Sequence, residues 1–333
     1  MQRAFTMAGA GQRAFLTGLR ACGHAFTMAE ILLSLTIIGV VAAITLPSLT
    51  GNINERTWNT QRKALYARMS QAISLMPALN GYGTLDDATD TAAETFITAG
   101  LAKVMKINNI CDNEHLQDCG IPTKIIPTIG DDGSNAAYIN TSDIKTFFSL
   151  NSYFHKIPFF PQDTKVAAFE TQNGESIITY YNPQCSHTTQ YYQNSNNHIW
   201  YVPEVCVNFI YDLNGSKGPN TVNKDIGIMT VFYPTDSIVA APVLPLRSIS
   251  SGNNVTQYNA AKFCRDFDSE FRAPNIYEAQ SIVTNHKLLN LRSVMLWTSE
   301  IESPTKGWVV QTNEPVRGAV DRNGERRLQC VKR

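Results

Sequence analysis

Apolar and polar positions divide the chain into stretches of different period. From Phe26 to Pro47, FTMAEILLSLTIIGVVAAITLP, the pattern is apolar on all sides, with no charge between Ile31 and Leu46. With the Phe26–Ala29 turn, that run is about long enough for a helix to cross a ~30 Å hydrocarbon layer, and it predicts a transmembrane segment over 26–47. Glu30 is the exception within it, a single carboxylate just inside the apolar edge, and an ionisable residue at membrane depth reads as functional. After Pro47 the pattern becomes one-sided. Trp58, Leu65, Met69, Ile73 and Met76 recur at intervals of 7, 4, 4 and 3, the stripe of an amphipathic helix. Arg62, Lys63 and Arg68 are expected on its wet face, and Pro77 with Asn80-Gly81 closes it. A helix from Phe26 to about Met76 would be roughly 75 Å long at 1.5 Å per residue.

Beyond residue 80 the period shortens. A polar stretch with a short helix near Ala92–Met105 precedes strand-like runs at Val166–Phe169, Ser176–Tyr181, Ile199–Val202, Val205–Tyr211 and Ile226–Tyr233, separated by Asn-Gly and Asn-Pro turns. This predicts an antiparallel meander able to lie against the amphipathic helix. Residues 241–254, with Pro242, Pro245 and a Ser-Ile-Ser-Ser-Gly-Asn-Asn run, read as a linker. The expected divisions are a basic leader (1–25), the N-terminal helix (26–79), a globular domain (80–240), the linker (241–254) and a C-terminal module (255–333).

Composition sharpens this picture at three points. With 43% hydrophobic and 17% charged residues the chain can bury a core, and 28 basic against 28 acidic residues leave no electrostatic footprint for nucleic acid. Arg3, Arg13 and Arg20 lie in the first 25 residues, but Arg56, Arg62, Lys63 and Arg68 follow the apolar run, so local charge does not set its orientation. Of seven cysteines, Cys22 lies in the leader, and its removal leaves the even set Cys111, Cys119, Cys185, Cys206, Cys264 and Cys330. Spacings of 8, 21 and 66 suggest sequential pairs among fifteen possible connectivities, and point to an oxidising compartment.

The start of the apolar run resembles the N-terminus of type IV pilins and type II secretion pseudopilins. In that family a short basic leader ends immediately before Phe, with Glu at the fifth residue after the cut. Here the cut would fall between Ala25 and Phe26, giving Phe26-Thr27-Met28-Ala29-Glu30. Gly39 and Pro47 fall where many pilins carry a Gly and a helix-bending Pro. Ala25 stands where the family usually has Gly. The resemblance implies a prepilin peptidase that cuts before Phe26 and methylates its amine, other pilin or pseudopilin subunits as partners, and an inner-membrane assembly platform. Glu30 and Pro47 would serve assembly. It also implies a single-pass bacterial inner-membrane protein with its globular part periplasmic, later part of a pilus or the cell surface.

The C-terminal residues carry a second resemblance. Asn259–Cys264, Arg272-Ala273-Pro274 with Glu278, Leu296-Trp297-Thr298-Ser299 and Leu328-Gln329-Cys330-Val331-Lys332-Arg333 resemble modules appended to bacterial surface proteins, of the C-type-lectin and formylglycine-enzyme class. Ala273 and Gln329 replace that pattern's usual Leu and Arg.

Candidate chemistry is sparse. The sequence holds no nucleophile elbow, phosphate loop, dinucleotide fingerprint or HExxH motif, and no enzyme is expected. His115, His155, His187, His198 and His286 stand apart with no catalytic partner at a family spacing. Cys111, His115 and Cys119 would share one face of a helix as zinc ligands, or the two thiols would close a short disulfide loop, the reading the compartment favours. The loop from Tyr211 to Asp225 places oxygen ligands at Asp212, Asn214 and Asp225, as calcium loops do. It departs from an EF-hand at Lys217 and Asn223, and a hydrogen-bonded turn is the alternative reading.

The sequence therefore predicts an α+β fold: a long N-terminal helix, membrane half plus amphipathic half, packed on an antiparallel pilin-like sheet with a C-terminal lectin-like module. The expected function is a non-enzymatic minor or tip subunit of a pseudopilus or type IV pilus. The rival is a surface adhesin whose residues 255–333 bind a glycan or protein, which exposed aromatics at Trp297 and Trp308 would favour.

Overall fold

The structure, a computed structural model, describes residues 27–80, 93–127, 138–144, 166–182, 190–193, 199–202, 205–232, 239–243, 246–248, 255–267, 269–286, 288–291, 295–311, 317–326 and 328–332. Within the first helix, the side chains of 42–55 and 77–80 lie outside that description. Helix α1 (Met28–Asn80) runs through the division between two compact units, Met1–Ile53 and Asn54–Arg333. In the first unit the apolar side chains from Ile31 to Val41 are exposed.

The second unit holds, in chain order, β1 (Ile107–Cys111), β2 (Lys124–Ile125), β3 (Ile139–Asn140), β4 (Val166–Thr171), β5 (Ser176–Tyr181), β6 (Gln190–Gln193), β7 (Ile199–Val202) and β8 (Val205–Asp212). There follow β9 (Ile226–Phe232), β10 (Val239–Val243), β11 (Leu246–Ser248), α2 (Gln257–Phe267), β12 (Phe271–Arg272) and α3 (Ile276–Thr284). The chain closes with β13 (Met295–Ile301), β14 (Lys306–Gln311), β15 (Arg317–Asp321) and β16 (Gln329–Lys332). Six strands form the central antiparallel sheet in the order β1-β4-β5-β8-β9-β10.

This sheet is buried on both faces, which explains why every position of β5, β8 and β9 is buried instead of every second one. Successive side chains point to opposite sides. Phe169, Ile177, Phe209 and Val231 share one core with Leu65, Met69, Ile73 and Met76 of α1. Ala168, Ile178, Ile210 and Ile228 share the other with Ile276, Ala279, Ile282 and Val283 of α3 and with Leu296, Val310 and Val331. Fully burying one such aliphatic side chain stabilises by roughly 1.5–3 kcal/mol, so neither layer is dispensable.

The expected fold class is corrected in two respects. First, among the described residues no helix is long and apolar enough to cross a membrane. Second, residues 255–333 are not an appended lectin-like module: α3 and its neighbours cover the second face of the central sheet and share its core. The strands interleave as well. β7 pairs with β15 in the sheet β13-β14-β15-β7-β6, and β11 pairs with β16 in the sheet β11-β16-β12. The stretch 241–254, read as a linker, contributes to β10 and forms β11. Helix α1 covers one face of the sheet, and the core on the other combines residues between Cys111 and Ile144 with elements from the far end of the chain. What remains is an α+β fold with mostly antiparallel sheets.

Candidate functional site

At the start of α1 the sequence Thr27-Met28-Ala29-Glu30 forms reciprocal end contacts. The Thr27 backbone N–H and its Oγ1–H each donate to Glu30 Oε2 at 2.9 Å, and the Glu30 N–H donates to Thr27 Oγ1 at 3.3 Å. This is the geometry of a capping box, in which each residue satisfies an N–H that the first turn leaves without a helical partner. Glu30 thus has a local role that the membrane argument overlooked, although the T-x-x-E spacing was in plain view. Ala25 and Phe26, the expected processing pair, lie outside the described residues. Pro47 falls within α1, among the positions whose side chains are not described.

The loop joining β8 to β9 is built with more constraint. Asp212 ends β8, and its Oδ1 accepts from the Asn214 N–H at 3.1 Å. Gly215 then adopts φ 63°, the left-handed region open to glycine, while a Cβ there would come within 3.3 Å of Ser176 Oγ. Asn214 Nδ2 donates to the Gly218 carbonyl at 2.8 Å. On the return leg, Asp225 accepts from the Asn220 N–H at 2.7 Å and the Thr221 N–H at 2.8 Å, and its carbonyl accepts from the Leu213 N–H at 3.0 Å. Asp212 and Asp225 are 2% and 0% exposed. Burial pushes Asp212 up to about 7, with the nearby Asp225 charge adding to it against the backbone N–H groups of Asn214 and Gly215.

Three oxygens of this loop are buried without a hydrogen-bond partner: Asp212 Oδ2, Asn214 Oδ1 and Asn220 Oδ1. Asn220 was part of the polar run read from sequence but not among the candidate ligands Asp212, Asn214 and Asp225. Among the described residues no three His, Cys, Asp or Glu side chains converge as a metal group, so any cation here depends on amide oxygens. Arg62, expected on the wet face of α1, is 3% exposed. It donates to Asn59 Oδ1 and to the carbonyls of Asn223 and Lys224, tying the helix to this loop. Arg68, by contrast, pairs with Glu175 at the turn between β4 and β5.

The cysteines form two described disulfides, Cys111–Cys119 and Cys264–Cys330. The first removes the zinc reading, because both thiols are consumed, and His115 instead meets Asp112 at 2.8 Å on the surface. That contact raises the His115 pKa, chiefly through its hydrogen bond to the carboxylate. Cys206 is also disulfide-bonded, and Cys185 lies outside the described residues. In the C-terminal part, Arg272 Nη1 and Nη2 donate to Glu278 Oε2 and Oε1 at 2.7 and 2.6 Å, and Glu278 completes a capping box with Asn275 at the start of α3. Trp297 is fully buried, and its Nε1 donates to the Val255 carbonyl at 2.7 Å. Trp308 is partly buried and packs against the core beneath α3.

No family model matches the chain, and none of the curated proteins matches it. The class defined by its own features is an α+β protein with a two-faced antiparallel sheet, an exposed apolar helix start and a constrained acidic loop.

Proposed function

We propose that the chain is a non-enzymatic, pilin-like structural subunit, a minor or tip component of a type II secretion pseudopilus or type IV pilus. It is cut between Ala25 and Phe26 by a prepilin peptidase, methylated on the new amine, and taken up at an assembly platform where it packs with other subunits through the start of α1. The observation that carries this reading is the exposure of Ile31, Leu32, Leu33, Leu35, Ile37 and Ile38 on successive faces of α1. At 100° per residue these side chains point in all directions, and an apolar surface of that extent marks an interaction site. The globular unit has complete cores of its own, so it has no need of those side chains for stability. The reading takes no membrane crossing from this helix.

The adhesin reading would need exposed aromatics at Trp297 and Trp308. Trp297 is buried and tied by its indole N–H to the backbone, which suits a structural role better than a sugar-stacking platform.

Mass spectrometry of the mature N-terminus tests the proposal. The expected result is N-methyl-phenylalanine at Phe26; a terminus after Gly23, or within Ala42–Ala43, would contradict it.

A further inference from the structure

We propose that the Cys111–Cys119 disulfide is an oxidation checkpoint for the docking of α1: once closed, it seats Gly120 against the two segments at the end of the central sheet to which α1 is tied. This does not depend on the pilin-like reading. The polar ties of α1 land on two neighbouring segments. Arg68 pairs with Glu175 in the turn between β4 and β5, and Arg62 donates to the carbonyls of Asn223 and Lys224 in the loop joining β8 to β9. Those segments meet at one point, because Ser176 follows Glu175 and stands opposite Asp212, the last residue of β8, in the ladder.

The disulfide loop reaches the same point. Cys119 ends a short 3₁₀ turn over Leu116–Cys119, and Gly120 after it adopts φ 73°, with its N–H donating to the Gln117 carbonyl at 2.9 Å. A Cβ on Gly120 would stand 2.6 Å from Ser176 Oγ, closer than such atoms approach, and 3.9 Å from Gly215 Cα; one on Gly215 would stand 3.7 Å from the Gly120 carbonyl oxygen. Gly120 and Gly215 therefore meet backbone to backbone beside the Ser176 hydroxyl, an approach that needs glycine at position 120. Cys111 sits opposite Ala168 in the β1–β4 ladder, so the S–S bond fixes the Gly120 turn to the sheet, and the open dithiol form lacks that constraint. Closing it takes two electrons and two protons from the thiols; a disulfide oxidant accepts them and is left as a dithiol.

Cys111, Leu116 and Cys119 lie in the core shared with α3, whereas Leu65–Met76 of α1 lie in the core on the other face. A disulfide that only stiffened its surroundings would act on the α3 side or on the whole unit; a checkpoint for α1 acts around the end of the sheet, on the opposite face. Amide hydrogen exchange on the full chain in mild detergent separates these, read at Leu65–Met76 and at α2, which packs in a third core. Cys111→Ser/Cys119→Ser should exchange at least about tenfold faster at Leu65–Met76 and stay within about twofold of wild type at α2. Cys264→Ser/Cys330→Ser should show the reverse. Gly120→Ala keeps the disulfide but sets a methyl group against Ser176 Oγ, so it should loosen α1 as well, and adding Ser176→Ala, which removes that oxygen, should restore part of the protection. Unchanged α1 exchange in Cys111→Ser/Cys119→Ser or in Gly120→Ala would overturn the proposal. So would equal acceleration at α1 and α2, the mark of a general loss of stability.

Discussion

Between Ile31 and Val41, α1 carries apolar side chains on every face and leaves them exposed, whereas between Leu65 and Met76 it carries them on one face and buries them against the central sheet. Ile38 is 64% exposed and Ile73 0%. The two stretches share a helical backbone, and both are rich in large aliphatic side chains. They differ in what lies between the apolar positions. In the second, Arg68, Ser70, Gln71 and Ser74 break the apolar surface into a stripe that fits one sheet; in the first, only Ser34 and Thr36 interrupt it. Their hydroxyls bond back to carbonyls of the preceding turn, so neither presents a polar face to water. A one-sided stripe can be satisfied inside the chain, but an all-round one requires a partner from outside it.

This comparison predicts the largest effects in the inner stretch. Ile73→Ala should cost about 2–5 kcal/mol in chemical denaturation of the globular unit, and Ile38→Ala should stay within about 0.5 kcal/mol. Equal losses would mean that the two stretches are not different in kind. A smaller effect sharpens the polar side of the contrast. Arg62→Ala leaves the carbonyls of Asn223 and Lys224 without their donor and should cost about 1–3 kcal/mol, while its exposed neighbour Lys63→Ala should change little. If the two lysine and arginine variants behave alike in the same denaturation series, the helix is not tied to the loop through Arg62.

Much of the sheet could be read from period and turn chemistry. The runs at Ser176–Tyr181 and Val205–Tyr211 became β5 and β8 with at most one residue of difference. The second layer was not legible, because nothing local in Ile276–Thr284 says which distant strand it will cover. The clue that was available lay in the strands themselves: Val205–Tyr211 is apolar at almost every position, the mark of two-sided burial, yet it was read as one face of a meander. The pairing of β11 with β16 was hidden for a related reason, since Pro242, inside β10, and Pro245, just before the short edge strand β11, look like punctuation. At the site, the oxygen spacing of Asp212 and Asn214 was visible. The buried, unpartnered oxygen of Asn220 was not, because its place depends on a left-handed backbone held by Asp225 across the loop. Arg62 was misplaced because a charge within a helix is usually solvated, and its burial depends on two carbonyls about 160 residues away in sequence.

Glu30 tests the central claim, that the start of α1 is the assembly face. Before assembly its carboxylate is satisfied by Thr27; packed among neighbouring helices it would pair with the amine of another subunit's Phe26, and a buried pair that loses one member is penalised by about 3–5 kcal/mol. Glu30→Gln keeps an oxygen for the Thr27 cap but removes the charge, and Glu30→Leu removes both. The decisive measurement is an immunoblot of sheared fibres beside the processed, cell-associated pool. The account predicts that both variants are still cleaved before Phe26 and that both are missing from the fibre fraction. Wild-type incorporation of Glu30→Gln would contradict the charge pairing, and wild-type incorporation of Glu30→Leu would contradict any assembly role for this residue.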